Sequence, residues 1–237
     1  MGIDVNKFLD KRNIPIWDAV SQSFEIKIAP SLNNEYSCYS KNSEATIYVD
    51  AKNICVASFT HELLHLYLKV KGIFIGAGFS NQVAASRTLS RIFSGALLDH
   101  IGNCLDHIKM FEIYDALGFD STKFILDFDS HKCSNSEVSN LKKNYKKGNN
   151  YNTVAVDFYI GKFIAIHADF NDDLDYDSCL TELKRLDPGL YNVLESFIIE
   201  WEEFDIESTD LLTNSYHMVL HRFYEDLKLW LGGKQFV

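Results

Sequence analysis

The sequence predicts an α+β fold, in which a small antiparallel sheet packs on one long helix and a mainly helical C-terminal half follows. Three observations support this prediction. Apolar and polar residues alternate in short stretches between residues 24 and 49, which is typical of strands. From residue 54 onward apolar residues recur every three to four positions, which is typical of helices. The 237 residues include only three prolines, which suits long uninterrupted helices.

The strands are predicted near the start of the chain. Residues 24–28 alternate apolar and charged side chains, and Pro30 marks the turn that follows. Residues 36–39 and 45–49 are predicted as a second and a third strand. Since the connections are short, we expect the three strands to form an antiparallel meander.

Two long helical stretches follow the strands. The spacing becomes helical after Asp50, the predicted N-cap of the first helix, and Gly72 is its predicted end. The second stretch covers residues 81–117. Within it, Gly95 and Gly102 predict a bend or a break into two helices.

The C-terminal half is predicted to be mostly helical from residue 151 onward. One helix is expected around residues 191–204 and the last from about residue 210 to residue 230. The polar residues 131–150 indicate a loop or a solvated helix.

No internal repeat or low-complexity linker divides the chain. We therefore expect a single domain over residues 1–237. Its core is expected in about residues 1–120, and a mostly helical extension in about residues 121–237.

Composition and charge exclude several classes of protein. With 46% hydrophobic and 24% charged residues, the chain is neither a disordered chain nor a fibre nor a coiled coil. Its 33 acidic residues against 23 basic ones give a net charge of −10, which argues against a nucleic-acid partner. No apolar run is long enough for a membrane span, so no membrane partner is expected. Five cysteines without a Cys-x-x-Cys spacing are typical of a reducing compartment, which predicts a cytoplasmic protein.

One motif in the first long helix indicates chemistry. Residues 61–65 read HELLH, which matches the pattern HExxH. Residues four apart share one face of a helix, so His61 and His65 can bind one ion, while Glu62 stays free to face a water on that ion. Zinc favours nitrogen ligands in a tetrahedron and keeps one position open in catalytic sites. The motif predicts a zinc-dependent hydrolase with Glu62 as its general base.

Residues 45–68, which contain this motif, resemble the zincin metallopeptidases, and among them the short bacterial ImmA/IrrE type. The resemblance covers roughly residues 24–118 and does not extend to the C-terminal half. It implies a twisted sheet with an edge strand above the motif helix, and a second helix that supplies the third zinc ligand. It also implies peptidase activity with a zinc cofactor, two zinc ligands at His61 and His65, and a peptide or protein substrate.

The third ligand is not indicated by the motif itself. Many zincins of this shape use a glutamate on the second helix, but residues 98–108 contain none. His100 and His107 both follow His65 at a distance that allows a loop and a returning helix. Because they lie about 10 Å apart along a helix axis, only one of them is expected to reach the ion.

We predict His107 as the third ligand. Asn103 precedes it by one turn and can orient its ring. His100, Asp99 and Asp106 stay open as alternative ligands, and either aspartate can instead be the partner of a ligating imidazole.

A competing hypothesis is a zincin-like binding or regulatory protein that recognises a partner without turnover. Glu62 favours the enzyme, because a purely structural metal site does not need a free carboxylate beside its ligands. A donor that stabilises the oxyanion is expected among four residues, which the sequence does not rank: Tyr114, Tyr216, His217 and His221. Neither the substrate nor the oligomeric state is indicated.

Overall fold

The computed structural model describes residues 3–208 and 215–237. Over these residues the chain has the predicted α+β fold, with one three-stranded sheet, one two-stranded sheet and a majority of helix. In chain order the elements are α1 (Ile14–Ser23), β1 (Glu25–Pro30), β2 (Ser37–Lys41), β3 (Glu44–Val49), α2 (Val56–Val70), α3 (Ile75–Ala84), α4 (Leu89–Ile92), α5 (Gly95–Ala116), α6 (Asn135–Asn144), β4 (Lys146–Lys147), β5 (Asn150–Tyr151), α7 (Thr153–His167), α8 (Asp177–Leu186), α9 (Pro188–Glu203) and α10 (Tyr216–Leu231).

The chain divides into two compact units. Unit 1 consists of Met1–Ile73 and Lys109–Phe128, and unit 2 consists of Phe74–Ile108 and Asp129–Val237. The division falls inside α5, so this one continuous helix contributes residues to both units. The single domain expected from the sequence stays a prediction.

The three-stranded sheet of unit 1 is mixed, and the predicted antiparallel meander is wrong. The strand order is β1-β3-β2, so β3 lies between the first two strands. β3 pairs with β1 in parallel and with β2 in the antiparallel sense. Alternation along a strand shows which side chains share a face, but it does not identify the neighbouring strand.

The connections explain the strand order. β2 and β3 are joined by a tight turn in which Asn42 has a positive φ of 55°, a conformation that asparagine tolerates better than most residues. The longer segment of residues 31–36 takes the chain from β1 to the opposite edge of the sheet. That length leaves room for β3 to pair between the other two strands.

Helix α2 packs against β2 and β3 with its apolar face. It begins at Val56 with Cys55 as N-cap, so the predicted cap at Asp50 is wrong. Asp50 instead accepts a hydrogen bond from the backbone N–H of Lys52 in the preceding turn. The predicted end is confirmed, since the helix stops at Val70 and Gly72 follows with a φ of 75°.

Helix α1, which the sequence analysis did not predict, packs against α2. Asn13 precedes it and is fully buried. Its amide donates hydrogen bonds to the carbonyl of Phe8 and to the hydroxyl of Thr60, each at 2.9 Å. Thr60 directly precedes the HExxH motif, so this buried amide ties the motif helix to the N-terminal segment.

The second predicted helical stretch, residues 81–117, is broken into separate helices. The break predicted at Gly95 is confirmed, because α5 begins there after the short helix α4. Gly102 does not interrupt α5. Its Cα lies close to that of Gly76 on α3, so that a Cβ on either glycine would meet the other residue's Cα at about 3 Å.

Unit 2 is built mainly from helices, as predicted for the C-terminal half, and it also contains the two-stranded sheet of β4 and β5. Helix α9 begins after the buried Asp187, whose carboxylate accepts hydrogen bonds from the N–H of Leu190, the hydroxyl of Tyr145 and the indole of Trp230. Helix α10 ends at Leu231, close to its predicted end, and its predicted start at residue 210 lies outside the described residues. No helix within residues 3–208 and 215–237 has both the length and the apolar character that crossing a bilayer requires.

Candidate metal centre

Helix α2 places the three polar residues of the motif, His61, Glu62 and His65, close together. His61 and His65 are one turn apart, and their ring centroids lie 5.0 Å from each other. Both histidines and Glu62 are only 8% exposed. Three polar side chains this deeply buried need hydrogen-bond partners or a bound ion, because burying polar groups without such partners costs free energy.

An aromatic group in unit 1 packs against His61. The ring of Phe124 lies edge-on to the imidazole, with 4.8 Å between the centroids. Phe124 also contacts Phe111 and Tyr114, at 5.2 and 5.0 Å between centroids. Phe111 lies in α5 four residues after His107, so the two side chains share one face of that helix.

His107 is the third histidine of the group. One ring nitrogen from each of His61, His65 and His107 lies within 4.8 Å of the others, and all three residues are buried. Zinc binds nitrogen at about 2.0–2.1 Å, which places the nitrogens of a tetrahedral site about 3.4 Å apart. The nitrogens of the three histidines, at up to 4.8 Å from one another, therefore lie somewhat farther apart than in a metal-bound site. The donor set fits a transition metal such as zinc, and imidazole also suits copper, iron and nickel.

The other candidates for the third ligand lie elsewhere. Within residues 3–208 and 215–237, the three histidines are the only such group of potential ligands. His100 is exposed, and its Nε2 lies 3.3 Å from the carbonyl oxygen of Gly161. Asp99 is exposed and Asp106 is half-buried, and neither belongs to the group. The structure thus brings His107, rather than these alternatives, together with the motif histidines.

A tryptophan supports the part of α5 that carries His107. The indole N–H of Trp201 on α9 donates to the carbonyl of Leu105 at 2.9 Å, two residues before the histidine. Trp201 is fully buried. An indole hydrogen bond inside a packed core restricts both partners, so α9 helps to hold this turn of α5 in place.

Glu62 lies beside the histidine group without belonging to it. Its Oε1 is 3.9 Å from Nε2 of His61. Burial raises the pKa of the Glu62 carboxyl, while the nearby His65 and hydrogen bonds from Cys38 act in the opposite direction. Both the backbone N–H and the thiol of Cys38 supply these hydrogen bonds. The carboxylate is therefore oriented by a strand as well as by its own helix.

That strand is β2, an edge strand of the sheet that contacts α2. A second contact joins the same two elements, since Nζ of Lys69 donates to the hydroxyl of Ser40 at 2.7 Å. The strand thus runs along the helix that carries the motif.

The four candidate oxyanion donors lie in different environments. Tyr114 is fully buried, and its hydroxyl donates to the carbonyl of Asp120. The hydroxyl of Tyr216 accepts from the backbone N–H of Phe74. His217 and His221 are exposed on α10. Tyr114 is therefore committed to the core, and none of the four is assigned as an oxyanion donor.

Three residues of this centre were not identified by the sequence analysis: Cys38, Phe124 and Trp201. The high aromatic content of the chain is the one signal that pointed toward the two aromatic residues. No local pattern distinguishes Cys38 from the other four cysteines.

Comparisons with protein-family models, with curated proteins and with solved structures find no match to this chain.

Proposed function

We propose that the protein is a zinc-dependent metallohydrolase, and more specifically a peptidase. The observation that supports this most directly is the group of three buried histidines with the Glu62 carboxylate beside it. Three protein ligands are typical of catalytic zinc sites, which keep a fourth position for water or substrate. A carboxylate next to the ligands, and not among them, is placed to act as a base.

His61, His65 and His107 would hold the zinc ion. When bound, zinc acts as a Lewis acid that polarises a carbonyl and makes a coordinated water acidic near neutral pH. Glu62 accepts a proton from the attacking water at its carboxylate and delivers it to the leaving nitrogen. The new C–O bond replaces the C–N bond, so one peptide and one water yield a carboxylic acid and an amine.

The peptidase assignment rests on two supports besides the donor set. Residues 45–68 resemble the zincin metallopeptidases, whose activity is peptide hydrolysis. In addition, β2 is an edge strand next to the motif helix, and edge strands offer unpaired backbone groups to extended peptides. Both features favour a peptide or protein substrate over a small molecule.

The test separates metal binding from turnover. Zinc content is measured by elemental analysis for the wild type and for Glu62→Gln, and both are then incubated with a proteome-derived peptide library. We expect about one zinc per chain in both proteins, and peptide cleavage by the wild type alone, with a loss of at least about a hundredfold in the variant.

Two results would contradict this proposal in different ways. Absence of stoichiometric zinc in the wild type would overturn the metal centre. Zinc binding without cleavage of any peptide would instead favour a metal-dependent binding or regulatory protein. A cleavage activity that survives in Glu62→Gln would remove the assigned role of the carboxylate.

A further inference from the structure

Strand β2 turns two of its side chains toward α2. Exposure alternates along the strand, with Cys38 and Ser40 half-buried between three exposed residues. Successive side chains of a strand point to opposite faces, so these two share the face that meets the helix. Cys38 is paired with the fully buried Ile47 of β3, which is consistent with an inward position.

The partners of these two residues also share a face. Ser40 accepts from Lys69, and Cys38 donates to Glu62. Glu62 and Lys69 are seven residues apart on α2, which is close to two full turns. The strand therefore follows one face of the helix, which brings Cys38 beside the Glu62 carboxylate.

Resting on the function proposed above, we propose that Cys38 is a positioning residue for the general base. Its backbone N–H and its thiol hold the Glu62 carboxylate in one orientation beside His61. The N–H is suited to this because β2 is an edge strand, where alternate backbone N–H groups have no neighbouring strand.

The expected benefit is geometric. A glutamate side chain has several rotatable bonds, and ordering it costs conformational entropy. Two donors from a strand that is paired with β3 remove that freedom before substrate binds. A displacement of a catalytic group by about 1 Å can lower a reaction rate about a hundredfold. We therefore expect the fixed Glu62 carboxylate to raise kcat and to leave KM unchanged.

The first experiment tests the contact without any substrate. Amide hydrogen exchange of Cys38 is measured by NMR in the metal-free wild type, in Glu62→Ala and in Glu62→Gln. We expect exchange at Cys38 to accelerate at least about tenfold in the alanine variant, which lacks the acceptor. The glutamine variant keeps an acceptor oxygen and should retain most of the protection. Amides of β3 serve as the internal reference for unfolding of the sheet.

The second experiment tests positioning in the zinc-loaded full chain. The best-cleaved peptide of the proteome-derived library is used to measure kcat and KM for Cys38→Ala, Cys38→Ser and Ser40→Ala. We expect kcat to fall about tenfold in Cys38→Ala with KM unchanged, and the serine hydroxyl to restore it to within about threefold. Ser40→Ala removes the neighbouring strand–helix contact and should keep the wild-type kcat.

Three results would contradict different parts of this proposal. Unchanged exchange at Cys38 in Glu62→Ala would overturn the contact. Wild-type kcat in Cys38→Ala, or a serine variant as slow as the alanine variant, would overturn the positioning role. A zinc-loaded wild type that cleaves no peptide would overturn the proposed function, and with it the positioning role of Cys38 in catalysis. The hydrogen-exchange measurement would still show whether Cys38 and Glu62 are in contact.

Discussion

The ring of Phe124 packs edge-on against the imidazole of His61, with 4.8 Å between the centroids and 67° between the planes. This contact joins a residue of the HExxH motif to the segment that follows α5. An imidazole that binds a metal must keep its orientation, and neighbours that fix the ring contribute to metal affinity. Phe124 is such a neighbour, although it has no metal-binding atom.

Replacement of Phe124 by leucine should weaken zinc binding. We expect about a tenfold loss of affinity, because the ring of His61 gains freedom, and a loss of about 1–2 kcal/mol in the free energy of unfolding. Zinc affinity is measured by competition with a chromophoric chelator. Leu126→Ala, two residues along the same segment and 85% exposed, is the matched control and should bind zinc like the wild type.

The identity of the third ligand can be tested with a pair of histidine variants. His107→Ala removes one of the three proposed ligand nitrogens, so zinc affinity should fall by at least about a hundredfold. His100→Ala changes an exposed residue of the same helix, and its affinity should stay within about twofold of the wild type. The same competition measurement serves for both. Equal losses in the two variants would contradict the assignment of His107.

The close approach of Gly76 and Gly102 predicts that a larger side chain at Gly102 destabilises the protein. A Cβ on Gly102 would lie 3.1 Å from the Cα of Gly76, so alanine must force α3 and α5 apart. We expect Gly102→Ala to lower the free energy of unfolding by about 1–2 kcal/mol, despite the better helix propensity of alanine.

Chemical denaturation with urea measures this effect. Gly95→Ala provides the control, because no atom lies within 4 Å of the added Cβ. This second variant should be as stable as the wild type or gain up to about 1 kcal/mol. A Gly102→Ala protein as stable as the Gly95→Ala protein would show that the two helices separate without cost.

His167 predicts a loss of stability in acid. Burial lowers the pKa of its imidazole from the ordinary value of 6.5, while Glu195 acts in the opposite direction. Its Nε2 has no hydrogen-bond partner among the described residues. Because the unfolded chain binds the proton more readily, stability that is complete above about pH 6.5 is lost as the pH falls through the lowered pKa of the folded protein.

The measurement is the free energy of unfolding of the metal-free protein as a function of pH. His167→Gln cannot take up this proton, so its stability should fall less steeply than that of the wild type below pH 6.5. The difference between the two proteins isolates His167 from the other histidines. Parallel curves for the two proteins would contradict the prediction.

Local sequence patterns determined much of this protein. The α+β class, the strand segments and the motif helix follow from the periodicity of apolar residues over a few turns or strand positions. The placement of His61 and His65 on one face is a property of the helix itself. A resemblance to a known family added the expectation of a third ligand on a later helix, but the chain contains no glutamate at residues 98–108.

Tertiary structure decided the features that depend on distant residues. The parallel pairing of β1 with β3, the grouping of His107 with the motif histidines, and the contact of Cys38 with Glu62 each join segments that are separate along the chain. Periodicity shows which face of an element is buried, but it does not show which other element covers that face. The sequence by itself therefore determined the motif and the helix face that its histidines share, whereas packing determined which side chains surround it.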